Sequence, residues 1–200
     1  MSRQVHFSNN VYYTSAQSPS PSVASFASYC PPSPVPTACL DPLLTPQLCA
    51  ALTFHITDSP CPAKPSALRA PATTPSVAKL EVTHPGLAYF GWKILVTAAD
   101  GHCVRIDEVL KGIYTSLRQG VDSETFHSLR SHQAANVTKA FQTRSRNRDG
   151  EANKGLKRVD LVTSVPIDTT GNNYRTRFAG LVPVLSKSQP SVPLYELKLI

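Results

Sequence analysis

The sequence lacks a long apolar segment, and this argues against a membrane-spanning helix. Its longest unbroken apolar run is residues 48–52, whereas a helix that crosses a bilayer needs about 20 apolar residues. After Arg3 the N-terminus has no apolar stretch of the kind that an export signal contains. The five cysteines form an odd set without a C-x-x-C pair, which does not fit a secreted disulfide framework. We therefore expect an intracellular, soluble protein of the cytoplasm or nucleus.

Signatures of catalysis, metal binding and nucleotide binding are also missing. The nine glycines form neither G-x-G-x-x-G nor a P-loop, and no G-x-S-x-G marks a nucleophilic serine. The best local histidine and cysteine pair is His102-Cys103, whose side chains would point to opposite faces of a strand. The sequence thus predicts no catalytic residue, no metal and no cofactor. An enzyme would have to be of an unrecognised type, with a site assembled wholly in three dimensions.

Proline divides the chain into two parts, because 14 of the 18 prolines lie between residues 19 and 85. Residues 1–37 contain nine serines and six prolines without a periodic apolar pattern. Such a segment cannot bury enough apolar surface to offset the entropy that ordering its backbone costs. We predict a disordered Ser/Pro-rich tail at 1–37. A single domain should follow at 38–200, with a proline-rich connection in extended or polyproline form at 60–75.

Strands are predicted in the second half of the chain. The alternation of apolar and polar residues, together with short apolar runs, indicates strands at 79–83, 92–98, 156–162 and 194–200. A long polar loop is predicted at 163–174. The only tryptophan, Trp92, falls on the apolar face of its strand, so we expect it in the core.

The dipeptide Asp100-Gly101 predicts a hairpin. A three-residue loop with Gly101 in the left-handed conformation would set Val96 opposite Val104 and keep one face apolar, whereas a two-residue loop would not. We therefore predict a third strand that ends at Ile106.

Two helices are predicted after this hairpin. From Asp107 the apolar period changes to that of a helix, and Gly120 should end it. A second helix should begin at Asp122 and continue to the tract at 144–150. The predicted class is α+β, with a small antiparallel sheet packed against a two-helix pair.

Several short blocks, taken in their order, resemble a family of uncharacterised domains found in fungal proteins. These blocks are Asp41-Pro42-Leu43-Leu44, Trp92, Asp107-Glu108-Val109-Leu110, Gly155-Leu156-Lys157-Arg158-Val159-Asp160-Leu161 and Arg177-Phe178-Ala179-Gly180-Leu181. The resemblance covers about residues 40–200 as a pattern. It implies a common fold and an intracellular fungal origin. Because that family has no established activity, it implies no functional residue.

The positive charge is concentrated in one tract. Residues 130–158 hold eight lysines and arginines against two acidic residues, which accounts for six of the seven net positive charges of the chain. The basic residues are Arg130, Lys139, Arg144, Arg146, Arg148, Lys154, Lys157 and Arg158. They could neutralise several phosphates of a nucleic acid. Cations are also favoured near a helix C-terminus by the helix dipole alone, and few aromatic residues interleave with them to stack bases.

The sequence favours a non-catalytic protein-interaction module with an unknown protein partner and no membrane span. In this interpretation the basic tract is a solvated rim beside a protein-docking face. The first alternative is nucleic-acid binding through the basic tract. The second alternative is the enzyme of unrecognised type.

Overall fold

The computed structural model describes residues 38–58, 65–146, 155–165, 175–184 and 192–200. The predicted tail at 1–37 lies outside the described residues, as do most of the predicted polar loop and the first part of the proline-rich connection. The described residues combine helices with small sheets, which confirms a mixed helix-and-sheet fold.

A four-stranded sheet forms the centre of the fold. Its strands are β3 (Lys79–Thr83), β4 (Ile94–Thr97), β5 (Phe178–Pro183) and β6 (Leu194–Leu199). The order across the sheet is β4-β3-β6-β5. The pair β3–β6 is parallel and the other two pairs are antiparallel, so the predicted antiparallel sheet is confirmed only in part. Chain order explains the parallel pair, because several helices separate β3 from β6 and leave room for a crossover.

The alternating pattern places one face of the sheet in the core. Leu80 and Val82 of β3 are fully buried, and in β6 the residues Tyr195, Leu197 and Leu199 are buried while the residues between them are half-buried. The predictions of these two strands are therefore confirmed. The prediction at 92–98 is confirmed for the residues of β4, but Trp92 precedes the strand and is only half-buried at the margin of the core.

Helix α3 (Ile106–Leu117) packs against β4. Its buried residues lie on one side, as the helical period predicts, and Asp107 and Glu108 occupy its first turn. A β-carbon at Gly112 would lie 2.9 Å from Val96 Cγ2, so glycine allows the helix to lie close to the strand.

The predicted hairpin at Asp100-Gly101 is wrong. Val96 pairs with Leu80 instead, and Ile106 is the first residue of α3. The reason is a competing set of side-chain hydrogen bonds. The Asp100 carboxylate accepts from the backbone of the two residues after Gly101, at 2.9 Å each, and Glu108 accepts the Arg105 N–H at 2.8 Å. These bonds turn the chain and begin a helix.

The predicted strand at 156–162 is also wrong, because α6 (Arg158–Thr163) occupies this segment. The Lys157 N–H donates to Asp160 Oδ2 at 2.9 Å, which satisfies one of the unpaired donors at the start of the helix. Val159, Leu161 and Val162 are buried. The apolar run had indicated a strand, but burial on several sides suits a short core helix equally well.

The second predicted helix is divided in two. Helix α4 (Ser123–His127) begins where it was predicted, and Asp122 Oδ1 accepts the Thr125 N–H at 2.6 Å. Helix α5 (Ser131–Arg146) follows, and Gln133 accepts the N–H of Arg130 at 3.1 Å. Each helix therefore has its own cap. Helix α5 packs against α6, and α3 packs against β4.

The segment before β3 contains short elements. Strand β1 (Cys39–Leu40) pairs with β2 (Thr73–Thr74), and helix α1 (Pro65–Leu68) lies inside the predicted proline-rich connection. That connection is therefore not extended throughout. No helix among the described residues is long and apolar enough to cross a membrane.

Candidate functional site

The eight basic residues predicted as one tract have different environments. Arg130, Lys139 and Arg146 are exposed, Arg144 and Lys157 are buried, and Arg158 is half-buried. Arg148 and Lys154 lie outside the described residues. The expectation of a solvated rim therefore fails for Arg144 and Lys157, and the tract divides into groups with different surroundings.

Arg144 joins α5 to α6 through a buried ion pair. Its Nε lies 2.8 Å from Asp160 Oδ1 and its Nη2 lies 2.8 Å from Asp160 Oδ2. Nη2 also donates to the carbonyl of Gly155 at 2.9 Å, and the guanidinium lies over the ring of Phe141. Arg144 is 8% exposed and Asp160 is 1% exposed. This two-pronged geometry satisfies both charges inside the fold, so Arg144 has a structural role.

Arg158 has the opposite character, because its guanidinium has unused donors. The Cζ atom lies 4.3 Å from the centroid of the Trp92 ring, which is the geometry of a cation–π contact. Its Nε is buried and has no hydrogen-bond partner among the described residues. Burial lowers the pKa of the Arg158 guanidinium below its ordinary value. A buried donor without an acceptor costs free energy, and an incoming acceptor would remove that cost.

Three rings extend from Arg158 toward solvent, and we call Tyr89, Phe90 and Trp92 the aromatic cluster. The rings of Tyr89 and Phe90 have centroids 4.9 Å apart in an edge-to-face arrangement, and those of Phe90 and Trp92 are also 4.9 Å apart. Tyr89 is 52% exposed, while the other two rings are half-buried. Gly91 has a φ of 68°, and this left-handed turn brings three aromatic residues together within four positions.

The aromatic cluster is positioned by helix α2 (Pro85–Ala88) and its cap. The Gly86 N–H donates to Nδ1 of His84 at 3.1 Å, so His84 holds the first turn. His84 is 8% exposed, and burial lowers its pKa to about 4, opposed by the charge of Glu196 and reinforced by that of Lys198. The imidazole is therefore neutral at neutral pH and its Nδ1 remains an acceptor. The core then fixes the turn, because Leu87 is buried.

The described residues contain no group of three histidines, cysteines or acidic residues close enough to hold a metal ion. Sequence reasoning singled out Arg158 and Trp92 separately but missed Tyr89 and Phe90. The available signal was the run Tyr89-Phe90-Gly91-Trp92, in which glycine interrupts an aromatic strand pattern.

The unused donors of Arg158 lead to a stability prediction. Arg158→Met keeps a long apolar stem against Trp92 and removes a desolvated guanidinium that has no described acceptor. We expect the free energy of unfolding to change by no more than about 1 kcal/mol in either direction. Urea denaturation measures it. A loss of several kcal/mol would mean that Arg158 makes a structural contact within the fold.

A comparison with family models matches residues 44–191 to a family of unknown function, DUF6699. Neither the curated proteins nor the solved structures contain a match to this chain.

Proposed function

We propose, from the premise that this chain belongs to the DUF6699 family of unknown function, that it is a non-catalytic module that binds another protein. The docking site in this proposal is the aromatic cluster together with Arg158. The observation that carries the proposal is an arginine with unused donors, stacked on a tryptophan at the edge of an exposed aromatic surface.

The chemistry of these residues supports a protein partner. Tryptophan, tyrosine and arginine are the residue types that contribute most binding energy in protein interfaces. Each offers a large rigid contact area and a polar group at its end. Because Trp92 packs against the core and the three rings contact one another, binding would cost less side-chain entropy than it would for isolated exposed rings.

Nucleic-acid binding through the basic tract is the second candidate. It needs several cations at one surface, because each neutralised phosphate adds to the affinity. Two of the described members of the tract are buried, and Arg144 already neutralises Asp160. The exposed members Arg130, Lys139 and Arg146 remain for that role. No described residue gives specific support to the enzyme of unrecognised type.

The proposal places the module in the cytoplasm or nucleus. Support comes from Cys49 and Cys103, which are free thiols in the fold, as expected in a reducing compartment. The fungal origin suggested by the sequence blocks stays a prediction.

Site-specific cross-linking in the native cell tests the proposal. A photo-reactive phenylalanine derivative placed at Tyr89 is expected to attach to one protein partner, because this ring is the exposed end of the aromatic cluster. The same group placed at His132, an exposed position on α5, serves as the control and should give no specific adduct. The purified partner should then bind the full chain, and Arg158→Gln should weaken binding by about tenfold or more.

Three outcomes would contradict the proposal. The first is an equal yield of the same adduct from both positions. The second is a partner whose affinity does not change in Arg158→Gln. The third is a nucleic-acid adduct at Tyr89, with affinity that falls steeply as salt rises, which would favour the second candidate.

A further inference from the structure

The edge of the sheet beside the aromatic cluster is open. β4 has β3 on one side and no described strand on the other. The Ala98 N–H donates to the Ala78 carbonyl at 2.9 Å. Because the bonds of an antiparallel pair alternate along the strand, Val96 and Ile94 also bond to β3. Leu95 and Thr97 are the intervening residues, and their N–H and C=O groups point to the open side. Among the described residues, none forms a hydrogen bond with these four groups.

The surface around this edge combines apolar and charged features. Leu95 is 57% exposed on the outer face of the sheet. Beside it Lys93 and Glu81 neutralise each other, with Nζ 2.7 Å from Oε2. Arg158, at the end where β4 meets the aromatic cluster, is the cation at this surface that lacks a described acceptor.

We propose that the partner of this site is an extended acidic peptide segment, which adds a strand to the open edge of β4 and places a carboxylate on Arg158. This inference rests on the proposed function and specifies its partner. Strand addition supplies backbone hydrogen bonds to Leu95 and Thr97, and side-chain contacts supply the specificity. Alternate residues of an extended segment face the same way, so apolar residues at every second position would lie near Leu95.

Charge complementarity selects an acidic segment. A carboxylate accepts two parallel hydrogen bonds from a guanidinium, and among the described residues Arg158 Nε has no hydrogen-bond partner. Because Arg158 is half-buried against the Trp92 ring, water would screen this pair less than an ion pair at an open surface. A basic segment would place a like charge beside the guanidinium, and a neutral segment would leave the charge of Arg158 uncompensated.

A second copy of this chain fits the edge less well. Residues 92–99, which include β4, contain no acidic residue. The next residue, Asp100, already accepts from the backbone of His102 and Cys103 and pairs with Arg105 at 3.3 Å. Pairing two β4 strands would therefore bring no free carboxylate to Arg158.

Selection from a random library of short peptides displayed on phage, with the full chain as bait, tests this inference. We expect the selected peptides to combine aspartate or glutamate with apolar residues at alternate positions. Synthetic copies of the selected peptides are then titrated against the full chain, and binding is followed by the emission of Trp92, the only tryptophan. Arg158→Gln is expected to raise Kd by about tenfold or more, since a charged hydrogen bond is lost. Arg130→Gln, which changes an exposed arginine between α4 and α5, should leave Kd unchanged.

The strand-addition geometry has its own variant. Leu95→Pro removes an N–H that points away from β3, and proline is tolerated at such a position of an edge strand. We expect this variant to remain folded and to raise Kd by about tenfold, whereas Leu95→Thr keeps the N–H and should have the smaller effect. If Leu95→Pro does not fold, methylating the peptide's backbone nitrogens one at a time gives the same information. Methylation should then abolish binding at every second residue of the peptide and have little effect at the residues between them.

The outcomes separate this inference from the proposed function. Peptides that need Arg158 but are insensitive to Leu95→Pro and to backbone methylation would overturn strand addition, while the docking site would stand. Selected peptides without acidic residues, nucleic-acid binding at this surface, or a dimer that forms through β4 would overturn the acidic partner. A protein cross-linked at Tyr89 that shows none of these peptide features would leave the proposed function intact and reject the extended segment.

Discussion

Replacing Arg144 with methionine is expected to lower the free energy of unfolding by about 3–5 kcal/mol. The substitution leaves Asp160, which is 1% exposed, as a buried charge without its cation. The Gly155 carbonyl also loses a donor. Because the pair connects α5 to α6, we expect these helices to separate before the sheet unfolds. Urea denaturation gives the free energy, and hydrogen exchange locates the change.

Arg146→Met is the matched control, because it changes an exposed arginine in the last turn of the same helix. We expect it to cost no more than about 0.5 kcal/mol. Adding Asp160→Asn to the Arg144→Met variant removes the orphaned charge and keeps an acceptor for the Lys157 N–H, so part of the stability should return. Equal losses of unfolding free energy in Arg144→Met and Arg146→Met would show that Arg144 does not act through Asp160.

Acid should weaken the fold through His84. Its pKa in the folded state is about 4 because the ring is buried, whereas an exposed imidazole has a pKa of about 6.5. Between these two pKa values, His84 is protonated in the unfolded chain and neutral in the folded chain. Stability is complete above pH of about 6.5 and falls as the pH drops toward 4, by a total of about 3 kcal/mol. Protonation would also remove the acceptor that caps α2.

The His84→Asn variant isolates this effect. Asparagine can accept the Gly86 N–H and does not titrate, while the acidic residues of the chain contribute equally to both proteins. As the pH falls from about 6.5 to 4, the free energy of unfolding of the wild type should decrease steadily relative to that of the variant. His132→Asn, at an exposed position on α5, should follow the wild type. Parallel curves for the wild type and His84→Asn would contradict the assignment.

Elements with a strong local pattern could be predicted from the sequence. Helix α3 carries its apolar side and its acidic first turn within a single twelve-residue segment, so no distant contact is needed to identify it. β5 was missed because its pattern is interrupted by Gly180, which has a φ of 100° and lies at a register shift against β6. A β-carbon there would lie 2.6 Å from the nitrogen of Pro46, a distant contact that the local sequence does not reveal.

The candidate site was predictable only in part, for the same reason. Arg144 and Arg158 belong to one basic tract in the sequence and have no local feature that separates them. Their different roles depend on Asp160 and Trp92, which the fold places beside one arginine each. Charge counting finds such residues, but the acceptors available around each arginine decide whether it is structural or open to a partner.

The central claim is tested most directly by titrating the full chain with the purified partner that cross-links at Tyr89 and following the fluorescence of Trp92. Trp92 is the only tryptophan of the chain and lies inside the candidate docking site. We expect a saturable change in Trp92 emission for the wild type and for Arg130→Gln, with Kd raised by about tenfold or more in Arg158→Gln. Binding that leaves Trp92 emission unchanged, or that has the same Kd in all three proteins, would contradict it.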